Sequence, residues 1–87
     1  MFDWDEANFG HILKRNLRRE EVEEALQDPH RADAFAYRVA DEWREGIIGM
    51  TRGGRLLHVV YTEHDGQVRP IHARNAYRHE AREYFGR

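Results

Sequence analysis

The chain has 87 residues, no cysteine and a formal net charge of −2. A chain this short makes one domain with a small core, burying about 60–65% of its unfolded surface, and without cysteine it has neither a disulfide framework nor a thiolate zinc site. No apolar run approaches the ~20 residues that cross a bilayer, and "MFDWDEANFG" lacks a basic segment followed by an apolar one, so a cytoplasmic protein is expected.

In chain order, Phe2 and Trp4 alternate with Asp3 and Asp5, the pattern of a short strand. A helix is expected from Asp5 or Glu6, with Ile12 and Leu13 on its buried face, Lys14 and Arg15 in its last turn, and Asn16 closing it in the left-handed conformation that Asn tolerates. In "LRREEVEEALQDP", Leu17 and Val22 take the N′ and N4 places of a hydrophobic staple. Glu20 and Glu21 favour the positive first turn, Val22, Ala25 and Leu26 form the apolar stripe, and Pro29 ends the helix. The period then changes to two. "AFAYRVA", "WREGIIGM", "RLLHVVYT" and "QVRPIHAR" read as four strands, the later turns being "TRGGR" and "EHDGQ". Pro70 cannot donate to a ladder, which puts the fourth strand at an edge or a bulge at this residue. Asn75 is read as the N-cap of a last helix whose stripe is Tyr77, Ala81, Tyr84 and Phe85. The expected fold class is α+β: an antiparallel sheet of four strands, two N-terminal helices and one C-terminal helix.

Charge is unevenly spread. Residues 1–43 hold six basic and eleven acidic side chains, residues 44–87 eight and five, and all eight cations of the second half are arginine. Arginine's planar fork suits phosphate. In "PIHARNAY", His72 and Arg74 are two apart on a strand and share one face, with Ile71 and Ala73 on the other. Arg78 and Arg82 recur on one face of the last helix, a ridge for an RNA backbone or a solvated face balanced by Glu80 and Glu83. No H-E-x-x-H or cysteine ligand set appears, so no metal or other cofactor is expected.

Taken together, "FDWDEAN", "HILKRNLRREEVEEALQDP", "IIGMTRGGRLLHVVYTE" and "RPIHARNAYRHEAREYF" resemble the BrnT toxins of bacterial type II toxin–antitoxin systems, from Phe2 to Phe85. The resemblance implies a RelE-like fold, metal-free RNA cleavage by an endonuclease, and neutralisation by a small BrnA-like antitoxin in a toxin–antitoxin hetero-oligomer. It also carries over residues: Lys14 and Arg15 match the family's basic pair, Arg44 its arginine before the apolar strand, and His72-Ala73-Arg74 its Ser-Ala-Arg. His72 stands in place of the Ser, Arg15 of a His, Asn16 of a Gly, and Glu45 of an aromatic. The candidate catalytic set is Arg74, His72, Arg44 and Lys14, and the candidate RNA contacts are Arg15 together with Arg52, Arg55, Arg78 and Arg82, the last four read from the turn and the helix ridge themselves.

Such a reaction needs the 2′-hydroxyl deprotonated, the phosphorane's charge stabilised and the leaving 5′-oxygen protonated. Arginine serves the second need, and histidine, with an ordinary pKa near 6.5, serves the proton transfers. The plainer readings are an ion pair of Arg74 with Glu80 or Glu83, a solvated edge position for His72, turn chemistry for Arg52 and Arg55, and a half-buried structural role for His58. The alternative function is a binding module of the same fold that pairs with an antitoxin or nucleic acid and has lost catalysis.

Overall fold

The computed structural model describes residues 2–4 and 16–86. Along the described chain run helix α1 (Arg19–Leu26), strands β1 (Ala32–Val39), β2 (Glu42–Met50), β3 (Leu56–His64) and β4 (Gln67–Asn75), and helix α2 (Arg78–Phe85). The strands form one antiparallel sheet in sequence order β1-β2-β3-β4. The α+β class and the four strands agree with the sequence reading. Two helices are found among the described residues, one on each side of the strands in sequence, and the expected first helix lies outside the described residues.

Helix α1 forms where the staple residues close on each other. Arg18 is the N-cap, so Leu17 and Val22 stand at N′ and N4, and both are buried. The Arg18 N–H donates to Glu21 Oε1 at 3.0 Å, satisfying a donor that the helix cannot. Asn16 has φ 60°, the left-handed conformation expected of it. Leu17, Val22 and Ala25 pack against Ile47, Leu57, Val59 and Ala73 of the sheet, each large apolar side chain contributing about 1.5–3 kcal/mol. Gly49 lets the helix backbone come this close: a Cβ there would lie 2.1 Å from the Ala25 carbonyl oxygen.

Turn chemistry sets the pairing. Asp65 and Gly66 both have positive φ (52° and 76°), as a two-residue hairpin between β3 and β4 requires. Gly54, at φ 86°, closes the β2–β3 turn, where its N–H donates to the Thr51 carbonyl. At the N-terminus Phe2 makes a parallel bridge to Val68, and Asp3 pairs with Arg69 at 2.7 Å.

Both outer strands carry one extra residue. In β4, His72 faces Val60 and Pro70 faces Tyr61, leaving Ile71 without a partner; Pro70 thus sits in an edge strand and beside a bulge. In β1, Asp33 faces Ile47 and Phe35 faces Gly46, leaving Ala34 over. Each extra residue resets the alternation of faces. Pro70 and Ala73 therefore stay on the α1 side together, while His72 and Arg74 point to the α2 side, as do Phe35 and Tyr37.

Helix α2 departs from the sequence reading. Strand β4 runs on through Asn75, whose Oδ1 accepts from Arg55 Nε at 2.7 Å, and the N-cap is Tyr77. Among its residues Glu80 is the buried one; of the expected stripe Ala81 and Tyr84 are half-buried, whereas Tyr77 and Phe85 are 57% and 66% exposed.

Candidate active site

The sheet face under α2 is a cross-strand grid. One row runs Ala32, Ile48, His58, Arg74; the next runs Phe35, Gly46, Val60, His72; the third holds Tyr37 opposite Arg44. His72 and Arg74 are thus brought together on adjacent rows of β4, as their spacing predicts, and His72 is half-buried. Arg44 shares the face but not the spot. Two strand spacings and four residues of rise separate its backbone from that of Arg74, roughly 16 Å.

Arg74 is held from three sides. Its Nη1 and Nη2 donate to the two carboxylate oxygens of Glu80 at 2.7 and 2.9 Å, its Nη1 also reaches the Asn75 carbonyl at 3.1 Å, and its guanidinium carbon lies 3.8 Å from the centre of the Tyr77 ring. The ion pair with Glu80 is the plainer reading of Arg74, but it is largely buried rather than at the surface. Fork-to-fork pairing and ring stacking fix the guanidinium plane.

Glu80 is the centre of this arrangement. Burial opposes its charge, but the Arg74 bonds and the Tyr77 N–H (2.7 Å) overcome that opposition, helped by the charges of His58 and Arg74, and hold the carboxyl down at about 2. His58 Nε2 lies 3.7 Å from Glu80 Oε2. Burial lowers the His58 pKa, the Arg74 charge lowers it further, and Glu80 acts in the opposite sense. His58 Nδ1 is buried without a hydrogen-bond partner among the described residues. His58 is therefore more deeply enclosed than the half-buried structural residue expected. The sequence reading offered Glu80 or Glu83 as the partner of Arg74, and Glu80, six residues on across a strand-to-helix turn, is the one that takes it.

At the other end of the face, Tyr37 is the cross-strand partner of Arg44 and, with Glu42, helps hold it charged, and Arg44 Nε donates to Glu42 Oε1 at 3.3 Å. Arg55 is engaged on the α1 side, with Asn75, the Asn16 carbonyl and Glu21, and so serves the turn rather than this face. Arg52 is exposed in the same turn, and its N–H donates to Glu24. Arg78 and Arg82 are exposed on α2. Lys14 and Arg15 lie outside the described residues. Among the described residues no three His, Asp or Glu side chains converge as metal ligands, and no helix is long and apolar enough to cross a membrane.

A family model described as ribonuclease toxin, BrnT, of type II toxin-antitoxin system matches residues 4–80. No individually curated protein matches the chain. The matched span takes in Arg44, His58, His72, Arg74 and Glu80, and it is most of the sequence. The chain belongs to the BrnT family, ribonuclease toxins of type II toxin–antitoxin systems, whose partners are protein antitoxins.

Proposed function

We propose that the chain is an RNA endonuclease of RelE-like fold that works without a metal ion, at the sheet face beside α2. Arg74 stabilises the phosphorane, and His72 transfers the proton that leaves the 2′-hydroxyl or reaches the 5′-oxygen as the P–O5′ bond breaks. Arg44 and Lys14 complete the cationic set, and Arg15, Arg52, Arg78 and Arg82 hold the RNA backbone further out. Arg55 joins them only if it leaves its internal bonds. A BrnA-like antitoxin neutralises the enzyme in a hetero-oligomer by covering Arg44, Arg74 and α2. The observation that carries this reading is the pairing of a half-buried histidine with an arginine whose plane is fixed by Glu80 and Tyr77, on one face of one strand.

The same ion pair favours a second reading. Glu80 already neutralises Arg74 in the resting chain, as suits a catalytically silent module that only binds. Three measurements separate the two. An active toxin should stop growth when expressed alone, cleave RNA in excess EDTA, and lose about a hundredfold or more of its cleavage rate in Arg74→Ala. Unchanged growth and no cleavage by the purified chain would leave the binding module. Loss of cleavage in EDTA, restored by a divalent ion, would refute the metal-free mechanism. A stable antitoxin complex that still cleaved at the free enzyme's rate would refute occlusion.

A further inference from the structure

Strand β1 is an edge, and edges in natural domains are blunted by charge, proline or short length. This one is eight residues long and shows Phe35 and Tyr37, 40% and 41% exposed, on the α2 side of the sheet. Three features aim them there. The extra residue Ala34 turns Phe35 onto this face. Gly46 leaves a floor for the ring, since a Cβ there would meet Phe35 ring carbons at 2.6–2.9 Å. Tyr37 stands directly opposite Arg44 of β2.

The ring centres of Phe35 and Tyr37 are 5.4 Å apart at 40°. That is contact distance, so no base fits between them, and their outward faces are what they offer. The row of Phe35 ends at His72, three strand spacings or roughly 14 Å away, a stretch that a few nucleotides of extended strand cover. Arg44 supplies a cation alongside.

We propose that Phe35 and Tyr37 form a stacking platform for bases of single-stranded RNA whose reacting phosphate lies at His72 and Arg74, with Arg44 taking a backbone phosphate near the rings. The inference rests on the ribonuclease site proposed above and adds a base subsite to it. Every base has a π-face, so the platform tolerates sequence while demanding unpaired bases. RNA fits better than a protein strand because the rings stand on the sheet face beside a cation, whereas an added strand would use the backbone edge.

The test measures affinity for a single-stranded oligonucleotide with 2′-O-methyl riboses, which lacks the nucleophile, and for the same backbone with abasic residues. Phe35→Leu and Tyr37→Leu keep apolar bulk and remove the ring, and thermal melts check that they fold. Each should lose roughly five- to hundredfold in affinity for the base-bearing strand and little for the abasic one, while Phe35→Tyr, which keeps a ring, should hold the base-bearing strand. Unchanged affinity in both Leu variants, or an equal loss on the abasic strand, would overturn the platform. Leu variants that bind RNA normally but release the antitoxin would make the edge a protein-docking strand instead. A wild type that neither binds nor cleaves RNA would overturn the ribonuclease reading as well; one that cleaves while the Leu variants bind unchanged would overturn the platform alone.

Discussion

Helices α1 and α2 have eight residues each and are held by opposite kinds of force. Helix α1 sinks Leu17, Val22 and Ala25 into an apolar face and brings its backbone onto Gly49. Helix α2 is fastened by acids: Glu80 to Arg74 near its start, and Tyr84, whose hydroxyl donates to Asp28 Oδ2 at 2.5 Å, near its end. Apolar burial depends little on pH or geometry. A buried carboxylate depends on both, because it is costly once a partner is lost. The sheet thus has one side held by apolar packing and one where the burial of Ala32, Ile48 and Val60 is joined by a few exchangeable polar bonds, the side on which we place the RNA.

The largest effect should come from breaking the side held by apolar packing. In Gly49→Ala the new Cβ would overlap a helix carbonyl that no rotamer change can move, so a loss of about 3 kcal/mol or more is expected, read as a lower urea midpoint with an unchanged slope. Glu80→Gln should cost about 2–3 kcal/mol, less than a fully buried pair because Arg74 keeps some contact with water. It should also free Arg74 to swing, so cleavage should lose rate more than affinity, and Glu80→Asp should restore part of the rate. If Glu80→Gln were neutral, the polar fastening would be the wrong description of α2.

Acid sharpens the contrast. His58 is held below its ordinary value of 6.5 by burial and the Arg74 charge, and Glu80 at about 2 against 4.5. The released chain therefore binds protons more readily than the folded one. The stabilisation is complete above about pH 6.5, weakens first through His58, and is lost through Glu80 between about 4.5 and 2. Glu80 alone should account for on the order of 1 kcal/mol by pH 4. Hydrogen exchange should show protection in α2 falling between pH 7 and 4 while that of Val22 and Ala25 holds; a parallel decline would mean that the two helices open together. The smallest effect is Tyr84→Phe, about 0.5–1 kcal/mol. It should also let the Asp28 carboxyl, now held low against the cost of its burial by Tyr84 and by the His30 and Met50 N–H groups, titrate at a higher pH by NMR.

What the sequence disclosed was local chemistry. The staple of Leu17 and Val22, the left-handed Asn16, the Asp65-Gly66 turn and the awkwardness of Pro70 are each decided by a residue and its near neighbours. The Arg74–Glu80 ion pair was readable for the same reason, being six residues apart. The inward face of α2 was readable in half: Ala81 and Tyr84 of the expected stripe are half-buried, but Tyr77 is the N-cap and lies exposed with Phe85, while Glu80 turns inward to Arg74. The grouping of Phe35 and Tyr37 with His72 was not readable. It needs the register of all four strands and the extra residue at Ala34, and neither leaves a mark in the pattern of one strand.

The unpaired Ile71 makes the location of the site a matter of parity. Taking Ile71 out would close the bulge: Pro70 and His72 would become neighbours, still opposite Tyr61 and Val60, and neighbours on a regular strand point to opposite faces, so Pro70 would stay on the α1 side and His72 and Arg74 on the other. Taking Ala73 out instead would make His72 and Arg74 neighbours and put them on opposite faces, splitting the site. The strand can therefore change length at the bulge without moving the reacting groups, and two residues further on it cannot.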